Sequence, residues 1–159
     1  MHSQFISFLV AFFVLAAFWQ RHNWQFHHLR RIDGGIVRIT LFILACVVLL
    51  PFTTNISGDH SGVQLAVNLF HANMFGLGML FLVQWLYMTR HPDILSAALD
   101  PREVRNGLYG ALLMPAVSVL ACGLAFVTPS WSMAAYLLMI PFGAAVRMYA
   151  RNAGDAGDS

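Results

Sequence analysis

The stretch Phe18-Trp19-Gln20-Arg21-His22-Asn23-Trp24-Gln25-Phe26-His27-His28-Leu29-Arg30-Arg31 decides how this chain is built. It is a basic, aromatic and histidine-rich turn between two apolar runs. The run before it, 5–19, carries no charge, and the run after it, 36–52, carries only Arg38 near its start. A helix rises about 1.5 Å per residue and needs ~17–25 mostly apolar residues to cross the ~30 Å hydrocarbon layer, so each run suits a bilayer crossing. Aromatic rings with one polar edge belong at the headgroup level, where arginines keep their charge in water and bury their stems. The stretch therefore reads as a membrane edge.

Composition agrees. Of 159 residues, 58% are hydrophobic and 10% charged, against roughly a quarter charged in an ordinary soluble domain. The reading is an all-α, polytopic integral membrane bundle in one domain, 1–151, with five transmembrane helices at about 3–20, 36–52, 63–88, 108–127 and 131–151. The second ends at Pro51 and the polar loop 53–60. The tail 152–159 is too polar and glycine-rich to pack. The N-terminus lacks the basic leader and small-residue cleavage site of a signal peptide.

Topology follows from arginine. The chain has nine basic residues, all Arg, and a formal net charge of +2, too small to suggest nucleic-acid binding. Arg21, Arg30, Arg31 and Arg38 lie at the first turn, Arg90, Arg102 and Arg105 in the loop 89–106, and Arg147 and Arg151 at the C-terminal end. The opposite ends of the spans hold none. Cytoplasmic loops carry the excess of Lys and Arg, so five crossings place the N-terminus outside and the C-terminus in the cytoplasm.

The third span alone carries several deep polar groups: Asn68, His71, Asn73 and Gln84. Unsatisfied polar groups in hydrocarbon cost several kcal/mol, so these either bond to neighbouring helices or line a hydrated path. At ~100° per residue Asn68 and His71 share a side while Asn73 lies off it. Of seven histidines only His71 lies deep, whereas bis-histidine haem ligation needs two facing residues; no cofactor, metal site or catalytic residue is expected, and a haem oxidoreductase is the remotest reading. Cys46 and Cys122, each in mid-span, read as small hydrophobes. Pro115 and Pro141 are expected to bend their helices. The pairs Ala72/Gly76, Gly107/Ala111 and Ala121/Ala125 suggest close helix approach. The acids and arginines of 89–106 read as a solvated, self-paired segment in which Asp100-Pro101 starts a short lead-in helix. No Walker loop, Gly-x-Ser-x-Gly or His-Glu-x-x-His appears, which removes the common enzyme classes.

Phe18-Trp19 with His22 and Phe26, then Asp33, then Leu49-Leu50-Pro51-Phe52-Thr53, resemble the second and third helices of the transmembrane protein 175 family, and Leu69-Phe70-His71-Ala72-Asn73 is similar to its fourth-helix Leu-Tyr-x-x-Asn segment. The resemblance runs from Phe5 to Met88; beyond Thr89 it is one of hydropathy and order. It implies a six-helix membrane protein that assembles into a potassium channel, bacterial relatives being single-repeat chains that form tetramers. The partners it implies are the lipid bilayer, potassium ions and further copies of the chain. One departure is large: the family's pore-lining first helix, with its Arg-x-x-x-Phe-Ser-Asp signature, has no counterpart here. Two expectations follow: a truncated member whose full form conducts potassium, or a five-helix protein that packs without conducting or borrows its pore helix. By resemblance Trp19 and His22 form the docking surface for that helix; His71 and Asn73 are the candidate pore-support positions.

Overall fold

The computed structural model describes residues 12, 15–16, 18–60, 62–132 and 135–136. Among these residues the secondary structure is helical, apart from one isolated β-bridge between Leu29 and Leu95. The helix α1 covers residues 18–26. It is followed by α2 (Gly34–Asp59), α3 (Gln64–Arg90), a 3₁₀ turn (Pro92–Ile94), α4 (Pro101–Ala125) and the short α5 (Pro129–Ser132). Three of these, α2, α3 and α4, are long and apolar enough to cross a membrane. The expected spans 3–20 and 131–151 and the tail fall mostly outside the described residues, so the described residues hold helices for three of the five expected spans.

Each long helix starts where the chain supplies a start signal, or at a sharp turn. Asp33 caps α2 by accepting the Ile36 backbone N–H at 2.9 Å. Asp100 caps α4 with a full capping box: its carboxylate takes the Arg102 N–H at 2.7 Å and Glu103 reaches back to the Asp100 N–H at 3.3 Å. With Pro101 at the first helical position, this start is continuous with the span, so the expected lead-in and the helix 108–127 are one element.

The expected end of the second helix at Pro51 is not observed. The helix runs on to Asp59, through the segment 53–60 that reads as a loop. An interior proline removes one backbone bond. Here the polar residues after it satisfy themselves on the helix: the Thr53 hydroxyl is shared between the Leu49 and Leu50 carbonyls, both at 3.1 Å, and Thr54 donates to Leu50 O at 2.8 Å. With Thr53, Thr54 and Ser57 buried, the inner face of this turn belongs to the bundle and not to water.

The core lies along α3, between α2 and α4. Trp85 is fully buried with Ile36, Met88, Ile94 and Ala111 around it, while Leu50, Phe70, Met74 and Met114 form a second cluster, and Ile43, Leu77 and Phe81 a third. Two glycines make the α3–α4 crossing close. A Cβ on Gly107 would collide with the Trp85 ring, and one on Gly78 would press on Met114 and Pro115. Ala111, Ala121 and Ala125 are buried on the same helix, so two of the three small-residue pairs serve close approach. The Ala72/Gly76 pair does not, because the space beside Gly76 is open.

The loop expected to be self-paired and solvated is instead docked on the first turn. Arg30 and Ser96 exchange backbone bonds with Ile94 and His28 at 2.8 and 2.9 Å, Ile94 and Leu95 are buried, and Asp93 pairs with Arg31 at 2.6 Å. Its acid thus neutralises an arginine 62 residues away. The apolar Ile94-Leu95 pair, which no charge pattern reveals, sets this docking. All seven described arginines lie at this end of the bundle.

Candidate functional site

Helix α1 has two faces, and they do different work. The inner one packs across α3 and α4: Phe18 stacks on Phe81 (5.7 Å between centroids, 7° between planes), and Trp24 stacks on Trp85 at 5.1 Å. Gln25, fully buried, donates to Phe81 O at 3.2 Å. Arg21 donates to Gly107 O at 3.0 Å and lies 5.4 Å from the Trp24 ring. An arginine expected to reach into headgroup water is thus turned inward, its charge met by a carbonyl near the start of α4 and by an aromatic face.

The outer face carries Trp19, His22 and Phe26, at helical spacing. Trp19 stacks on His22 at 6.1 Å and His22 on Phe26 at 4.2 Å. Trp19 is 68% exposed. Beyond Phe26 the same surface continues as an apolar groove lined by Ile32, Val37, Thr40 and Leu41 of the turn and α2. Trp19 and His22 are therefore brought together, on a surface left open by the described residues.

His71 and Asn73 lie inside and point to different neighbours, as their angular separation requires. Asn73 faces α2: its Nδ2 donates to Cys46 O at 3.1 Å and lies 3.5 Å from Thr53 Oγ1, beside the Pro51 turn. His71, 1% exposed, faces α4 and the segment after it. Its Nε2 meets Ser132 Oγ at 2.9 Å and its Nδ1 meets the Tyr136 hydroxyl at 3.1 Å. Ser132 donates to Pro129 O (2.7 Å), and Tyr136 donates to Ser118 Oγ (3.3 Å), which donates to Met114 O (3.0 Å). Asn68, on the same side, accepts from the Cys122 thiol at 3.7 Å, so that cysteine is a weak donor and not only a small hydrophobe.

At the basic end a further polar group escaped the sequence reading. Asp33, besides capping α2, accepts from the Tyr87 hydroxyl at 2.6 Å. A side chain on Gly35 would strike the Tyr87 ring, so the glycine is what lets this tyrosine reach the cap. The Ile36 N–H foremost, then the Tyr87 hydroxyl, hold the Asp33 carboxyl below the usual carboxylate range. Tyr87 in turn stacks on His91 at 4.1 Å, and His91 Nδ1 meets the Tyr87 carbonyl at 2.8 Å. The signal for Arg21, Gln25 and Trp24 was present in the sequence as a three-and-four spacing along 18–28; for Tyr87 there was none.

No group of three or more His, Cys, Asp or Glu gathers among the described residues. Both His71 nitrogens are engaged, so an axial haem ligand there would require breaking one of its bonds. Asn73 and His71 join α3 to its neighbours, whereas the buried side-chain amide of Gln84, also on α3, meets no partner among the described residues.

Residues 1–51 match the family model of the endosomal/lysosomal potassium channel TMEM175. A potassium channel of Streptomyces collinus is 23% identical over 144 residues, which cover 87% of this chain and 70% of that protein. No solved structure matches the chain. The matched residues hold α1 with its Trp19–His22–Phe26 face, the Asp33 cap and α2 as far as Pro51. The chain thus has three helices long and apolar enough to cross a membrane, and over its N-terminal third it resembles the TMEM175 potassium channel family.

Proposed function

We propose that the chain conducts potassium passively as a homo-oligomer, a tetramer by resemblance, and performs no catalysis. The observation that carries this reading is the outer face of α1. Trp19, His22 and Phe26 form a stacked ladder whose outermost ring is left 68% exposed, inside the region that resembles the potassium channel family. A rigid aromatic ladder at helical spacing matches the side of another apolar helix, and its interlocking rings give that helix a fixed register. In this reading Trp19 and His22 are docking residues for an apolar helix of a neighbouring copy. Asn73 and His71 support the pore indirectly by fixing α2 and the segment 129–136 to α3.

The membrane placement completes the proposal. Five spans, with 3–20 and 131–151 added to α2, α3 and α4, and arginine gathered at one end put the N-terminus outside and the C-terminus in the cytoplasm of a bacterial plasma membrane. The support is that the seven described arginines share one end of α2, α3 and α4.

Potassium flux into liposomes containing the purified chain tests the proposal. Potassium-selective flux is expected, with loss of both flux and the native oligomer size when Trp19 and His22 are replaced by Ala. A monodisperse, folded oligomer that passes no potassium overturns conduction and makes the chain a packing subunit.

A further inference from the structure

His71 sits in a chain of five contacts that ends on a backbone carbonyl at both sides. In order they are Pro129 O, Ser132 Oγ, His71, Tyr136 OH, Ser118 Oγ and Met114 O, with separations of 2.7, 2.9, 3.1, 3.3 and 3.0 Å. A carbonyl can only accept, so each of the five contacts needs one proton from the four side chains between the ends. Three hydroxyls bring one each. A neutral imidazole brings one more, which makes four.

The assignment is forced link by link. Ser132 spends its proton on Pro129 O and must accept from His71 Nε2. Ser118 spends its own on Met114 O and must accept from Tyr136. Tyr136 is then spent, and Nδ1 must donate to it. Every contact is made only when both ring nitrogens carry hydrogen, that is, in the imidazolium. When the ring is neutral, one contact lacks a proton. The longest, 3.3 Å between Tyr136 and Ser118, is the natural place for the gap, with the Tyr136 hydroxyl turned to Nδ1.

We infer that this hydrogen-bond chain is a proton-binding site, in which uptake at His71 turns the Tyr136 hydroxyl from Nδ1 to Ser118 and so fastens Tyr136 to α4 as well as to α3. Burial opposes a cation here, and two features favour one: a fifth hydrogen bond, charge-assisted at the ring, and the Phe70 and Tyr136 rings at 5.7 and 5.6 Å from the imidazole. Among the described residues, the titratable groups of the surrounding elements nearest this level are Tyr136 itself, Cys122 on α4 and Cys46 on α2; Tyr109 on α4 and Tyr87 on α3 lie towards the basic end, and Asp59 with His60 closes α2. No Asp, Glu, Lys or Arg lies on residues 39–58 of α2, 65–89 of α3 or 106–125 of α4. The hydroxyl arrangement therefore governs the proton. The inference requires the membrane fold alone, so it stands or falls separately from conduction.

Histidine-selective nitrogen NMR of the full chain in nanodiscs, with the His71 signals identified through a His71→Gln variant, tests it. Between about pH 8 and pH 4, His71 is expected to pass from a neutral ring with hydrogen on Nε2 to the imidazolium. Ser118→Ala removes the contact that lacks a proton, leaving three contacts and three protons with a neutral ring. The midpoint should fall by roughly half a pH unit to one unit, the equivalent of one hydrogen bond between neutral groups. Tyr136→Phe should lower it as well, and Cys122→Ala should not. The protection of the backbone amides across 129–132, taken relative to their intrinsic exchange rate at each pH, should rise on acidification in the unaltered chain and stay constant in Ser118→Ala. A His71 that stays neutral throughout, or a midpoint unmoved by Ser118→Ala, overturns the inference.

Discussion

The two polar regions of this bundle are held by different physics. At the basic end, charge is plentiful and the bonds are those of a wet surface: the Arg31–Asp93 pair, with side chains 65% and 58% exposed, the Asp33 cap with Tyr87, and the Asp100 capping box. In the interior there is no acid or base to spare, and α3 is tied to its neighbours by neutral groups: Asn73 on a carbonyl of α2, and His71 through hydroxyls to two further carbonyls. Water and salt screen the first set, so each charged contact there contributes little. No solvent replaces a lost partner in the second, so each bond there matters more. The lesson is that the interior polar groups, with no Asp, Glu, Lys or Arg among them, decide how the helices sit.

The largest loss is expected where close packing meets the basic end. Gly107→Leu drives a side chain into the buried Trp85 ring, and overpacking of this kind costs ~1–3 kcal/mol or more. It should also displace the carbonyl that receives Arg21, uncoupling α1 from α4. A lowered thermal midpoint in detergent, together with raised protease access at the first turn, checks this. Next comes the interior: His71→Leu removes both ring contacts and leaves Ser132 and Tyr136 only their bonds to Pro129 O and Ser118, at about 0.5–1.5 kcal/mol for each hydrogen bond lost. A stability equal to the unaltered protein, with unchanged oligomer size, would reduce His71 to filler and erase the contrast drawn above.

Much of this was legible before the structure, and what was not has physical causes. The Asp100-Pro101 helix start, the depth of His71 and its divergence from Asn73 follow from local chemistry and the angle per residue, whereas the stretch 18–31, expected as a turn, is helical as far as residue 26. The run of α2 past Pro51 was not legible, because it depends on Thr53 and Thr54 finding carbonyls of their own helix and on the burial of that turn against α3. The docking of Ile94-Leu95 and the inward turn of Arg21 depend on partners 60 to 90 residues away. So does the His71 chain, since Ser118 and Tyr136 carry no mark in the sequence that sets them apart from other hydroxyls.

The smaller effects belong to the basic end and sharpen the comparison. Because the folded Asp33 carboxyl lies below its ordinary range, its contribution is complete above about pH 4 and is lost as pH falls through the lower folded value. An acid-induced loosening of the α2 start is expected there, read as exchange of the Ile36 amide, and Asp33→Asn should flatten it. Smallest is Arg31→Gln. An exposed ion pair is worth ~0–1 kcal/mol and is weakened by salt, so the variant should differ slightly from the parent at low ionic strength and not at all in concentrated salt.

The claim on which the rest stands is that α2, α3 and α4 cross a bilayer with their arginine-bearing ends on the cytoplasmic side. Single cysteines at positions 31 and 60, in a background with Cys46 and Cys122 replaced by Ala, can be probed with an impermeant maleimide on intact cells. Labelling at 60 from outside, and at 31 only after lysis, is the predicted result. Labelling of both positions from the same side, or of 31 alone from outside, contradicts it.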